Sequence, residues 1–201
     1  MVLIVGSASS SDNAIYTIGY GARSLEVFIK LLKKYEIKYV IDIRSKPYSR
    51  YKPEFSKFVL DASLDQNNIR YVYMGDLLGG RPDDPDCYDD EGKVDYERLK
   101  RKDFYRQGIK RLQKAASLDE RVVLMCSEGK PERCHRSKLI GKTLAELNIP
   151  VLHIDENGEL ITQEVIITRW NNGMQLLVDN EGRQIFDSAE LVPTTSRKKY
   201  R

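Results

Sequence analysis

The chain has 201 residues, 41% of them hydrophobic, with 33 Lys and Arg against 30 Asp and Glu, a formal charge of +3. That length and apolar content suit one domain with a substantial core and exclude a disordered polar chain, and the near-balance of charge excludes a uniformly basic nucleic-acid binder. No apolar run approaches the ~18–20 residues of a membrane span, and an odd set of three cysteines does not make a disulfide scaffold.

Residues 1–14 read as a flexible arm. Val2-Leu3-Ile4-Val5 is too short for a signal core, no basic residue precedes it, and Ser7 to Asn13 is small and polar. The lack of a signal points to the cytoplasm, where thiols stay reduced. From Ile15 the chain alternates two patterns, which predicts a single α/β domain over residues 15–170. Ile15–Ile18, Tyr39–Ile43, Ile69–Met74, Val122–Cys126 and Val151–Ile154 are short and rich in β-branched and aromatic residues, as strands are. Ser24–Tyr35 places Leu25, Phe28, Ile29 and Leu32 at helical spacing behind a Ser24 cap. Further helices are expected at Glu54–Leu64, Phe104–Ala116, Ser137–Leu147 and Ile161–Trp170. The alternation predicts an open, mainly parallel sheet with helices on both faces, a Rossmann-like three-layer arrangement.

Two tracts depart from the average composition. Asp83 to Glu97 holds eight acidic residues and one lysine and reads as a long surface loop; Arg98 to Lys114 holds eight basic residues and one acid. The basic tract is either a solvated helix face or a surface for an anionic polymer. Residues 171–201 read as an extension, with a hairpin about Asp179-Asn180-Glu181-Gly182 and a basic tail ending at Arg201.

Ligands of open parallel sheets bind beyond the carboxyl ends of the strands, where this sequence concentrates its unusual residues. Gly19-Tyr20-Gly21 follows the first strand, and Asp42-Ile43-Arg44 leads to Tyr48 and Arg50 after the second. Leu78-Gly79-Gly80-Arg81 follows the third. After the fourth come Cys126-Ser127-Glu128 and then Cys134-His135-Arg136 at a helix start. A thiol followed by a glycine loop, an arginine and a helix start resembles the way thiol enzymes hold an anion near a thiolate. Six residues separate Cys126 from Arg133, however, more than such loops usually have. Cys126 and Cys134 are therefore candidates for a reactive thiolate, a buried structural thiol or a metal ligand. Neighbouring Cys134 and His135 seldom point at one ion, and no C-x2-C knuckle occurs, so no metal and no cofactor is expected.

Asp42 and Glu128 are the candidate acid–base pair, although Asp42 also suits anchoring Arg44 or Arg136. Arg44, Arg50, Arg81 and Arg136 crowded at one rim would repel one another without an anion, so they are expected to bind phosphate or carboxylate. Gly79 and Gly80 would let backbone approach that ligand. Tyr20, Gly21, Tyr48 and His135 are expected to line the substrate.

The same blocks carry a resemblance. Tyr16-Thr17-Ile18-Gly19-Tyr20-Gly21 with Ser24, the run Val40 to Arg50, Leu78-Gly79-Gly80-Arg81, and Cys126-Ser127-Glu128 with Cys134-His135-Arg136 are similar to the domain of unknown function 488 family, over roughly Ile15 to Ile161. The resemblance implies a compact α/β fold and assigns no reaction. The family pattern often places a histidine after the first block, where this chain has Ala22-Arg23. Two functions compete. One is a small cytoplasmic cysteine-dependent enzyme with an anion site for a phosphorylated small molecule or nucleotide. The other is a non-catalytic nucleic-acid-binding module using the arginine-rich rim and the basic helix. No membrane partner is expected, and the oligomeric state is open.

Overall fold

Short β-branched runs that alternate with amphipathic helices build a parallel sheet, and the computed structural model, which describes residues 13–118 and 120–174, has that architecture. Strands β1 (Ile15–Gly19), β2 (Tyr39–Asp42), β3 (Arg70–Tyr73), β4 (Val122–Cys126) and β5 (Val151–Ile154) are parallel, and β6 (Leu160–Thr162) pairs antiparallel to β5. Their order is β3-β2-β4-β1-β5-β6. The helices are α1 (Leu25–Lys34), α2 (Lys57–Asp65), the one-turn α3 (Gly75–Leu78), α4 (Tyr96–Lys100), α5 (Asp103–Ala116), α6 (Lys142–Glu146) and α7 (Gln163–Met174).

β1, β2, β4 and β5 alternate their side chains between two cores. Tyr16, Ile18, Val40, Val123 and Met125 pack with Phe28 and Leu32 of α1 and Leu60 and Leu64 of α2. Ile15, Ile41, Val122, Leu124 and Val151 pack on the other face, against Leu99 of α4, Ile109 and Leu112 of α5, and Leu144 of α6. Helices therefore cover both faces of the sheet. No helix among the described residues is long and apolar enough to cross a membrane.

The topology places one feature of consequence. β1 and β4 are neighbours, yet the helix after β1 lies on one face and the helix after β4 on the other. Chain departing in opposite directions leaves a crevice beyond the carboxyl ends of this strand pair.

Several expectations need correction. Ile161 and Thr162 belong to β6, because the turn at Asp155–Gly158 folds them back onto β5; the last helix starts only at Gln163. The acidic tract is no simple surface loop. It forms a 3-10 turn at Pro85–Cys87 and a bridge between Tyr88 and Val94, and it buries Cys87, Val94 and Tyr96 in the core. Its charge is answered from the basic tract: Lys102 reaches Asp84 and Asp86 at 2.8 and 3.2 Å, and Arg98 reaches Asp95 at 3.2 Å. The helix expected at Ser137–Leu147 begins as a π-helix over Arg136–Gly141 before α6 continues it. The expected arm, apart from its last two residues, and the expected hairpin and basic tail lie outside the described residues.

Candidate functional site

The end of β1 must let another chain segment pass, and Gly19 permits it: a Cβ there would fall 1.8 Å from the carbonyl oxygen of Glu128. The segment after β4 thereby pairs with the end of β1. Tyr20 and Gly21 donate backbone N–H groups to the carbonyls of Cys126 and Ser127 at 3.1 and 3.0 Å. Arg136 then secures the loop from below. Its guanidinium is fully buried, and it donates to the carbonyls of Glu128 and, at 2.8 Å, Gly129. Arg136 was expected to contact an anion, and this is a correction: its Nη donors hold backbone, and it does not line the cleft.

The second loop is organised by an ion pair. Arg44 places Nε 2.9 Å from Asp42 Oδ1 and Nη2 2.6 Å from Oδ2, and Tyr71 Oη donates to the same Oδ2 at 2.7 Å. Burial alone would weaken the charge on Arg44, but the hydrogen bonds and charge of Asp42 outweigh it and raise its pKa. Burial and then Asp42 push the Tyr71 hydroxyl pKa up as well. Asp42 is fully buried with both oxygens occupied, so it is not placed as a general base; its neighbours make it an anchor. Arg44 retains one donor, Nη1, that is buried without a partner.

The third loop meets the second at Ser45, whose Oγ accepts from Arg81 N at 2.9 Å. Gly79 fits because a Cβ would lie 2.4 Å from that Oγ, so this glycine serves approach between chain segments rather than to a ligand. Gly80 instead backs the imidazole of His135, whose Cγ would lie 2.7 Å from an added Cβ.

These loops enclose a cleft of about 580 Å³. Of the residues expected there, it brings together Tyr20, Arg44, Tyr48, Gly80, Arg81, Cys126, Glu128, Cys134 and His135; Asp42, Arg50, Arg136, Gly21 and Gly79 do not line it. The sequence reading weighed Arg133 beside the thiols and missed Lys46, Tyr96 and Lys138. Lys46 lies inside a block already singled out, whereas Tyr96 was concealed within the acidic tract. Five cationic side chains, those of Arg44, Lys46, Arg81, Arg133 and Lys138, face two carboxylates, Asp83 and Glu128.

At one wall of the cleft lies a cluster of three side chains. His135 Nδ1 is 3.9 Å from Cys126 Sγ and 3.6 Å from Cys134 Sγ, and the ligand atoms of all three lie within 4.8 Å of one another. The expectation that Cys134 and His135 diverge is therefore corrected. Cys134 is extended (φ −116°, ψ 147°) while His135 is already helical (φ −60°, ψ −21°). The change of backbone conformation between them turns both side chains to the same side. The thiols are inequivalent. Cys126 is held well below the usual thiol range by a hydrogen bond from Cys134, with His135 and Arg136 adding to the effect against burial. Burial, then the adjacent Cys126, pushes Cys134 up. Such a cluster can share a proton between two sulfurs or present soft ligands to a cation.

Behind it runs a buried polar chain that sequence patterns did not single out. His153 accepts at Nδ1 from Thr17 Oγ1 and donates through Nε2 to Gln163 Oε1, both at 2.7 Å. Gln163 in turn bonds Ser137, the second residue of the π-helix. Burial pushes the His153 pKa down to about 3, so its imidazole is neutral.

Residues 24–142 match the family described as Domain of unknown function DUF488, and the chain belongs to that family. The matched stretch takes in the β2, Gly79-Gly80 and cysteine blocks and leaves the Gly19-Tyr20-Gly21 block outside, so it is shorter than the expected span. No curated protein and no solved structure matches the chain.

Proposed function

We propose that this member of the family is a cysteine-dependent enzyme acting on an anionic, phosphate-bearing small molecule in the cleft between β1 and β4. The observation that carries the reading is the charge of the cleft: besides Arg44, whose charge Asp42 answers, four cationic side chains against two carboxylates surround the only paired thiols among the described residues. Arg44 adds a buried donor with no acceptor, a group that gains a full charge-assisted hydrogen bond when an oxyanion reaches it. Arg81 and Lys46 hold the substrate's phosphate at the mouth, Tyr48 covers it, and the chemistry takes place at Cys126, Cys134 and His135. Glu128, at the same mouth, is positioned to exchange a proton with solvent.

Calorimetric titration with inorganic phosphate tests the reading. The wild-type protein is expected to bind, and the Lys46→Ala/Arg81→Ala variant is expected to lose about tenfold or more in affinity, about 1.4 kcal/mol. Equal affinity in the two proteins overturns it. The Cys126→Ser protein is expected to retain phosphate binding.

A second reading, a nucleic-acid-binding module, is favoured by exposed aromatics on the loop after β2. Tyr48 and Tyr51 are 73% and 91% exposed, next to Lys46 and Arg50. Rings displayed beside cations suit stacking on bases. Binding of a single-stranded oligonucleotide that does not weaken steeply with salt removes this reading.

A further inference from the structure

We infer that Cys126, Cys134 and His135 form a three-ligand site for a borderline-soft divalent cation, zinc above all, with the fourth coordination position open to the cleft. The inference rests on the proposed function for the location of the chemistry and replaces a free thiol pair with a metal centre as the reactive group.

Distances come first. Zinc bound at ~2.3 Å to sulfur and ~2.0–2.1 Å to nitrogen, at a tetrahedral angle, sets sulfur and nitrogen about 3.6 Å apart. Here Nδ1 lies 3.6 Å from one sulfur and 3.9 Å from the other, and the sulfurs lie within 4.8 Å. A shift of less than about 1 Å brings all three to bonding distance, on the basis of those lengths.

Orientation is the second line. A ligating histidine usually donates its other ring N–H to a carbonyl or carboxylate, which fixes the tautomer and aims the free lone pair. His135 Nε2 lies 3.3 Å from the Ile43 carbonyl, so Nδ1 carries the lone pair and faces both sulfurs. Gly80 packs behind the imidazole and holds it there. Cys134 Sγ, in turn, accepts from the backbone N–H of Arg136 at 3.5 Å, a contact that stabilises a thiolate ligand.

The third line is access and charge. All three side chains line the cleft, which gives the ion an entry path, and no fourth protein ligand joins the cluster among the described residues. Two thiolates and one neutral imidazole leave a divalent ion without net charge, so an anion or water takes the fourth position at no electrostatic penalty. A carboxylate-poor donor set of this kind selects zinc over magnesium or calcium. Three protein ligands with one open position are the pattern of catalytic rather than structural zinc.

Cobalt substitution tests the inference by spectroscopy, without an activity assay. Full-length protein is stripped with chelator under reducing conditions and titrated with Co(II). The expected result is one equivalent bound, with a thiolate-to-cobalt charge-transfer band in the near ultraviolet and the intense visible bands of four-coordinate cobalt. Cys126→Ser and Cys134→Ser each weaken that affinity by more than about 100-fold, whereas Cys87→Ser leaves it unchanged. His135→Gln is the arm that survives if a cysteine variant fails to fold: it keeps both sulfurs and loses the four-coordinate visible bands. Absence of the charge-transfer band in folded, reduced wild-type protein overturns the site, and so does an undiminished Co(II) affinity in Cys134→Ser. Phosphate titration of the metal-free protein is read separately. A protein that binds phosphate but no cobalt loses the metal site alone, and one that binds cobalt but no phosphate loses the proposed substrate alone.

Discussion

Arg44 grips Asp42 through Nε and Nη2 while the two residues stand only two apart at the end of β2, and Phe55 O takes a further bond from Nη2 at 2.8 Å. The carboxylate thus fixes a guanidinium at the wall of the cleft with one Nη1 donor left over. Both side chains are nearly inaccessible, at 0% and 5% exposure, so neither charge is tolerable alone.

Asp42→Asn is expected to destabilise the protein by about 3–5 kcal/mol, because a buried cation keeps its desolvation cost and loses its counter-charge. Urea unfolding measures this. Tyr71→Phe, which removes one neutral donor to the carboxylate, is expected to cost less, about 1.5–3 kcal/mol. A loss below 1 kcal/mol for Asp42→Asn would mean that Arg44 relaxes into water, and the anchoring role would fall with it.

Gly80→Ala isolates the cluster from overall stability. An added Cβ meets the imidazole of His135 at 2.7 Å, and a side-chain ring can give way where backbone cannot. The variant is expected to fold with a melting temperature near that of the wild type but to bind Co(II) about 10–100-fold more weakly, as loss of ligand support usually does. Gly19→Ala is the contrasting case: its Cβ meets the Glu128 carbonyl and the fixed guanidinium of Arg136, so folding itself suffers. Comparable cobalt affinity in Gly80→Ala and wild type would show that His135 is not held from that side.

Much of the sheet was legible because β-branched runs such as Val122–Cys126 have few alternatives to a buried strand, and each begins within one residue of expectation. Ser24, expected as a cap, receives the Val27 N–H. The short β6 was not legible: Leu160-Ile161-Thr162 is too brief to show a period, and only the Asp155–Gly158 turn defines it. The π-helix escaped for a different reason. Ser137 within it exchanges hydrogen bonds with Gln163, twenty-six residues away, a tertiary contact that no local pattern announces. The candidate site divides in the same way. Residue types at strand ends marked Cys126, Arg44 and Arg81, but the convergence of Cys134 with His135 depends on a change of backbone dihedrals between neighbours. The burial of Arg136 depends on carbonyls that the loop after β4 turns back towards it. The opposed tracts looked like a charge asymmetry, and folding pairs part of one with the other.

His153 makes stability depend on acid. Its folded-state pKa is about 3 against an ordinary 6.5, so the unfolded chain binds a proton in that window and the folded protein does not. Stability therefore falls as pH drops from 6.5 towards 3, by up to about 1.4 kcal/mol per unit from this residue. His153→Asn removes the dependence. Its destabilisation relative to wild type is expected to be largest above pH 6.5 and to shrink at pH 5, measured as the difference in unfolding midpoint. A difference that is constant with pH would place a protonated imidazole in the folded state.

The basic tract separates the two functional readings. Arg98, Lys100 and Lys102 are engaged with Asp95, Glu97, Glu146, Asp84 and Asp86, Arg106 stands 3.9 Å from Asp103, Arg101 is exposed after α4, and Lys110, Arg111 and Lys114 of α5 face solvent. None of these three lines the cleft. Lys110→Glu/Lys114→Glu is therefore expected to bind inorganic phosphate within about twofold of wild type, since the charges are solvent-screened beyond roughly 8–10 Å. If an oligonucleotide binds at all, the same variant distinguishes where. Affinity lost only through Lys46 and Arg81 keeps the ligand at the rim, while affinity lost through α5 transfers the function to the helix face and removes the case for a cleft substrate.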